Sequence, residues 1–177
     1  PFCLVILRVY NRRPWEPERI VRVSPAEKHG APGATRSSSS AEHRALLLER
    51  LKALRAQGAT LVFDPYHRAK LWGKDEAAHW LAQAYGCADI ALPGLEEHQL
   101  LWGQQSPEQA ADFLTGLGVK ELVIKQGPER LFVNGQYLAV TPAEQVVDTT
   151  AAGDAFIGGL LASLSRAEVV CATLGDW

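Results

Sequence analysis

Cysteine is scarce and scattered in this 177-residue chain: Cys3, Cys87 and Cys171 are odd in number and far apart. They form neither a disulfide framework nor a zinc spacing, so a reducing cytoplasm is the expected setting. An excess of charge of one sign is also lacking. With 18 Lys and Arg against 20 Asp and Glu, the formal net charge is −2. That leaves no basic field for nucleic acid and no charge run for an anionic membrane surface. Long apolar runs are missing, since the opening PFCLVIL is far too short to span a bilayer. It also lacks the basic lead-in of a signal peptide. Two common phosphate-binding motifs are absent: there is no G-x-x-x-x-G-K-[ST], and no G-x-G-x-x-G follows a strand. No internal repeat is found.

What is present is core material. Hydrophobic residues make up 47% and charged residues 21%, ordinary values for a soluble domain long enough to bury a core. Residues 1–40 carry Pro14, Pro17, Pro25 and Pro32, a serine run and no sustained period, and so read as loop or disorder. From Ala41 the pattern changes. Leu47, Leu51 and Leu54 recur at helical spacing, and Gly58 supplies a stop. Thr60–Asp64 reads as a short buried strand, KDEAAHWLAQAYG as a helix, Asp89–Pro93 as a second strand and LEEHQLLWG as a short helix. Ser106, Pro107 and Gln109 are placed as N-cap, first helical residue and capping-box partner. ELVIKQG is a third strand, and Asn134-Gly135 between apolar runs signals a hairpin. The expected fold class is α/β, a mostly parallel sheet with helices on both faces.

The stretch DTTAAGDAFIGG, Asp148 to Gly159, is over-specified for an ordinary helix start. A helix N-terminus binds anions through its free N–H groups and dipole. Ala151, Ala152 and Gly153 would let phosphate oxygens approach closely. Asp154 would repel such an anion unless its task is to take a proton from whatever attacks it. An anion hole beside a base is what phosphoryl transfer to a hydroxyl requires. Capping and dipole stabilisation alone would also place an aspartate here, and the two readings stay open on composition.

Asp148–Leu161 resembles the C-terminal signature of ribokinase-like (PfkB) sugar kinases, and its DTTAAGD form resembles that of 2-keto-3-deoxygluconate kinases. FDPYHRAKLW, ADIALPGLEEHQLLWG and LVIKQGPERLFV resemble further stretches of the same kinases, in matching order from about Ala41 to Leu164. The resemblance implies a ribokinase-like fold and ATP-dependent, Mg2+-requiring phosphorylation of 2-keto-3-deoxygluconate to its 6-phosphate. It implies Asp154 as base, which also contacts the sugar, with the N–H groups of Ala151, Ala152 and Gly153 as anion hole. Thr149, Thr150, Lys125 and Gly127 would lie along the nucleotide phosphates. Arg68 would clamp the sugar carboxylate, and Glu97 would act on magnesium through water. Tyr66 and Ala69 stand where the family has Asn and Pro, and Gly94 where it has Asn. The five histidines show no ligand spacing.

The resemblance divides the chain into a non-family segment 1–40, a phosphoryl-transfer portion 41–164 and a tail 165–177. The N-terminal sugar-binding and lid portion and the closing helices have no counterpart, and the chain opens on Pro1 rather than Met. The expectation is therefore an incomplete, truncated fragment. The partners implied are a sugar acid and ATP, with no nucleic acid and no membrane, and homo-oligomer formation is left open. The alternatives are a catalytically silent relic with weak nucleotide binding, or a fructokinase or nucleoside kinase of the same fold.

Overall fold

The computed structural model describes residues 4–9, 20–23, 36–65, 73–141, 144–146, 148–149 and 152–166. At its centre lies β3 (Ala59–Asp64), an almost wholly buried run that starts directly after Gly58 at φ +87°. Only glycine takes that left-handed turn without steric cost. Helix α1 (Arg36–Ala56) leads into it, with Leu48 and Leu51 buried. Next come α2 (Lys74–Tyr85), β4 (Ile90–Ala91), α3 (Leu95–Trp102), α4 (Pro107–Gly116) and β5 (Glu121–Gln126). In α2 the buried residues Ala77, Trp80, Leu81, Ala84 and Tyr85 follow the helical period, so one stripe faces the sheet. Ser106 caps α4 by accepting from Gln109 N–H at 3.3 Å. The return bond to Gln109 Oε1 comes from Gln105 N–H at 2.8 Å, one residue before the cap.

β5 continues into a hairpin of β6 (Arg130–Val133) and β7 (Gln136–Ala139). Its turn residues Asn134 and Gly135 have φ of 45° and 92°, the double positive φ that matches strand twist. Asn134 Oδ1 also accepts from Leu122 N–H at 2.8 Å, tying the turn back to β5. Helix α5 (Ala152–Arg166) is the last element.

The sheet has the order β2-β1-β3-β4-β5-β6-β7. β3, β4 and β5 are parallel, and both flanks are antiparallel. Strand alternation sorts the core. Leu61, Phe63 and Leu122 pack with α1, α2 and α4 on one face, while Val62, Leu92 and Val123 pack with Ile157 and Leu161 of α5 on the other. Helices thus cover both faces, as the strand–helix alternation implied.

Within residues 1–40, the described stretches 4–9, 20–23 and 36–40 depart from the sequence reading. β1 (Leu4–Val9) pairs antiparallel with β3 from Leu4 opposite Asp64 to Val9 opposite Ala59, and β2 (Ile20–Val23) pairs with β1. The serine run lies in the first turns of α1, which begins at Arg36 and not at Ala41. Both differences have a tertiary cause. An unpaired edge of β3 offers a ready ladder to any extended segment, and extending a docked helix upstream costs little once it is nucleated. Neither effect leaves a local periodicity.

Candidate active site

In an open sheet with a parallel centre, ligands bind beyond the carboxyl ends of the strands. Here that rim gathers Asp64 at the end of β3, Pro93 and Gly94 after β4, and Lys125 near the end of β5. Lys125 N–H donates to Pro93 O at 2.8 Å and pairs bridge-wise with Gly94, holding the ends of β4 and β5 together. α3 starts immediately after Gly94, which puts Glu97 in its first turn. Gly127 follows β5 at φ +64° in open space, so the chain turns there without a side chain.

Lys125 Nζ donates to Asp64 Oδ1 at 2.6 Å, a contact between residues 61 apart in sequence. The two side chains are 23% and 12% exposed, so the pair is largely shielded. Burial pushes the Asp64 carboxyl above its ordinary value, Lys125 opposes that, and the charge of Asp154 adds to it. Asp64 and Lys125 lie on the sheet face of Val62 and Val123, the face that α5 covers.

Asp154 lies in the first turn of α5 and is exposed. It precedes buried Ile157 by three residues and Leu161 by seven, so it continues the sheet-facing stripe of the helix past its packed part. A Cβ added at Gly153 would meet nothing within 4 Å, so the backbone there is open to approach. Gly153 and Asp154 are in the first turn, where N–H groups have no acceptor within the helix. Ala152 differs from the expected anion hole, because its N–H donates to Thr149 O at 3.1 Å. That bond closes the turn from which the helix springs.

The structure therefore brings Ala152, Gly153, Asp154, Lys125 and Gly127 to described positions, with Glu97 half-buried and Thr149 exposed. Thr150, Ala151 and Arg68, with Tyr66 and Ala69, lie outside the described residues. The sequence reading missed the partnership of Asp64 and Lys125. Among the described residues, no group of three or more His, Cys, Asp or Glu stands together to hold a metal. Also among them, no helix is long and apolar enough to cross a membrane.

His98 has a structural setting. It is fully buried, with Nε2 at 3.2 Å from the Tyr85 hydroxyl and Nδ1 at 2.8 Å from Gln104 Oε1. The Trp102 ring lies beside it, with centroids 4.8 Å apart. Burial lowers its pKa from the ordinary value of 6.5, and Gln104 partly opposes that.

A helix that opens with a carboxylate and packs on one face of a doubly covered, mostly parallel sheet marks this as an α/β protein. The family model for pfkB family carbohydrate kinases matches residues 31–173, and the chain belongs to that family. It is 40% identical over 127 residues to the 2-dehydro-3-deoxygluconokinase of Escherichia coli K12, covering 67% of this chain and 41% of that protein. The structure of aminoimidazole riboside kinase from Salmonella enterica, complexed with aminoimidazole riboside and an ATP analogue, matches with a TM-score of 0.60. The two are 34% identical over 71% of this chain and 43% of the other. The fructokinase of Vibrio cholerae O395, with fructose, ADP and calcium bound, matches with a TM-score of 0.52 and 31% identity, over 63% and 36% of the two chains. The chain thus spans about two fifths of the length of these relatives.

Proposed function

We propose that this chain is the phosphoryl-transfer portion of an ATP-dependent sugar kinase whose acceptor is 2-keto-3-deoxygluconate, phosphorylated at its 6-hydroxyl. The observation that carries this reading is the position of Asp154, a carboxylate in the first turn of α5 beside an unobstructed glycine and above the rim of β3, β4 and β5. Asp154 takes the proton of the acceptor hydroxyl as its oxygen attacks the terminal phosphorus of ATP. The bond from that phosphorus to the bridging oxygen breaks, and ADP leaves with the electron pair. The N–H groups of Gly153 and Asp154 face the charge that builds on the transferred group. Ala151 and Thr150 are proposed to extend that cradle, and Thr149, Lys125 and Gly127 to border the nucleotide phosphates.

Magnesium would be held by Glu97 through water, with the nucleotide phosphates as its other ligands. A carboxylate acting through water suits an ion that keeps several waters and relies on substrate oxygens. When bound, it would neutralise phosphate charge. Arg68 is proposed to clamp the carboxylate of the sugar acid. The acidic sugar is favoured over fructose or a riboside by the DTTAAGD and FDPYHRAKLW stretches and by the 40% identity to the E. coli kinase.

The test is a coupled ADP-release assay on the full chain with 2-keto-3-deoxygluconate, fructose and a riboside as acceptors, run on wild type and Asp154→Asn. Turnover should favour the acidic sugar, fall by about 10²–10⁴ in the variant, and leave nucleotide affinity within a few-fold. Equal turnover in wild type and variant would rule out Asp154 as the base. No turnover with any acceptor would favour a chain that binds nucleotide at most weakly.

A further inference from the structure

The sheet ends on β7, and among the described residues no element covers its outer edge. All four of its residues are exposed, Tyr137 at 46% and Leu138 at 47%. Val140 N–H donates to Glu129 O at 3.3 Å, so Gln136, Leu138 and Val140 turn their backbone groups toward β6. By alternation, the N–H and C=O groups of Tyr137 and Ala139 point outward, where no described residue bonds them. Sheet edges are commonly guarded by charge, proline or a bulge. Gln136–Ala139, of sequence QYLA, carries none of these.

The strand fits a reversed copy of itself. A two-fold axis through Leu138, perpendicular to the sheet, sets Tyr137 opposite Ala139 of the second copy and Ala139 opposite its Tyr137. Each of these pairs exchanges both its N–H···O bonds. On the α4 face, where Tyr137 lies beside Phe132, the large ring then meets a methyl group. On the α5 face Leu138 meets Leu138 of the second copy, extending the apolar row that Leu131 begins.

The charges beside this edge agree with the same register. Arg130 is opposite Ala139, so its row continues across the axis to Tyr137 of the second copy. The hydroxyl of Tyr137 donates to Glu108 at 2.6 Å. Each copy thus sets a cation in the row of the other copy's carboxylate. Arg130 is held on that face by the ring of its own Tyr137, 4.5 Å from the guanidinium. Glu129 shares its row with Val140 and, across the axis, with Gln136, so no like charges face each other.

We propose that β7 is a self-pairing edge through which two copies of this chain join their seven-stranded sheets into one. The axis reverses strand direction, so the two carboxyl rims lie at opposite ends and both stay open. The seam is one short strand from each copy, below the roughly 1,200 Å² of a standard interface, so the dimer is weak and follows concentration.

The test is analytical ultracentrifugation of the full chain over a concentration series, with a disulfide trap for the register. Wild type should pass from monomer to dimer as concentration rises. Ala139→Pro removes an N–H that the monomer does not use, and Leu138→Lys sets like charges on the axis. Each should weaken association about ten-fold or more with an unchanged circular dichroism spectrum. With Cys3→Ser and Cys171→Ser as background and Cys87 buried, Leu138→Cys should form an intermolecular disulfide. Antiparallel partners outside the hydrogen-bonded pairs lie about 4.5 Å apart at Cα, within disulfide reach. Gln136→Cys, which faces Val140 of the second copy, should not cross-link. A chain that stays monomeric at every concentration would overturn the proposal. So would a dimer that Ala139→Pro leaves intact, or equal cross-linking at positions 136 and 138. If Ala139→Pro does not fold, Leu138→Lys and the trap decide in its place.

Discussion

Two buried polar residues in this chain have opposite relations to water, and each sets a local dependence on pH. In the shielded rim, burial pushes the Asp64 carboxyl up and Lys125, which meets it at 2.6 Å, opposes that. His98 stays neutral, enclosed by Tyr85, Gln104 and Trp102. Burial lowers the folded pKa of His98 from its ordinary 6.5, so the unfolded ring takes up a proton at a pH where the folded ring does not. Its contribution to stability is then complete above the unfolded pKa and declines as pH falls toward the lowered folded value. Melting temperature should therefore drop when pH is taken from about 7.5 to about 5, and His98→Gln should flatten that part of the curve. Thermal unfolding of both proteins followed by circular dichroism across that range checks this. A slope unchanged in the variant would place the titrating group elsewhere.

Among the elements, α5 carries Asp154, the proposed base, on the stripe that docks the helix. Ile157 is fully buried against Val62, Leu92 and Val123. Ile157→Ala should cost roughly 2–5 kcal/mol through lost transfer energy and the cavity left behind, measured by urea unfolding. A cost below about 1 kcal/mol would mean that the helix is not anchored there. The elements are also where sequence and structure can be compared fairly. α2, α3, α4, β5, the β6–β7 hairpin and α5 were legible, because period, caps and turn chemistry are local: Gly86 after α2, Gly103 after α3, Ser106 before α4, Asn134-Gly135 in the turn. The place of Asp154 in the first turn of α5 was legible too, since small residues frame it at a helix start. β1 and β2 were not, since their strand character comes from the edge of β3, more than 50 residues away in the pairing of Leu4 with Asp64. The partnership of Lys125 with Asp64 was hidden for the same reason. Each reads alone as a strand-end charge, and only the parallel order β3-β4-β5 brings them together. The taking of Ala152 N–H by Thr149 O was likewise not readable, because it depends on how the turn closes.

At the scale of the whole molecule, a mixed sheet covered on both faces presents its one rim of strand ends to ligands. If ATP with magnesium binds there, it stabilises the folded chain by about 2.7 kcal/mol at a hundred-fold excess over its Kd. For a chain of this size that is a rise in Tm of about 5–10 °C, read by differential scanning calorimetry with and without the nucleotide. A cooperative transition that the nucleotide does not move would contradict the proposed site. The same architecture fixes an order in time. The β6–β7 hairpin closes over two turn residues and forms in microseconds once its strands exist. The contact of Asp64 with Lys125 spans 61 residues and requires both crossovers, with α2, α3 and α4, to have docked. Its loop-closure entropy is met only when those helices are in place. The charges of the rim therefore come together among the last events of folding, and a chain caught short of that point has its hairpin and helices but no paired cation at the mouth of its sheet.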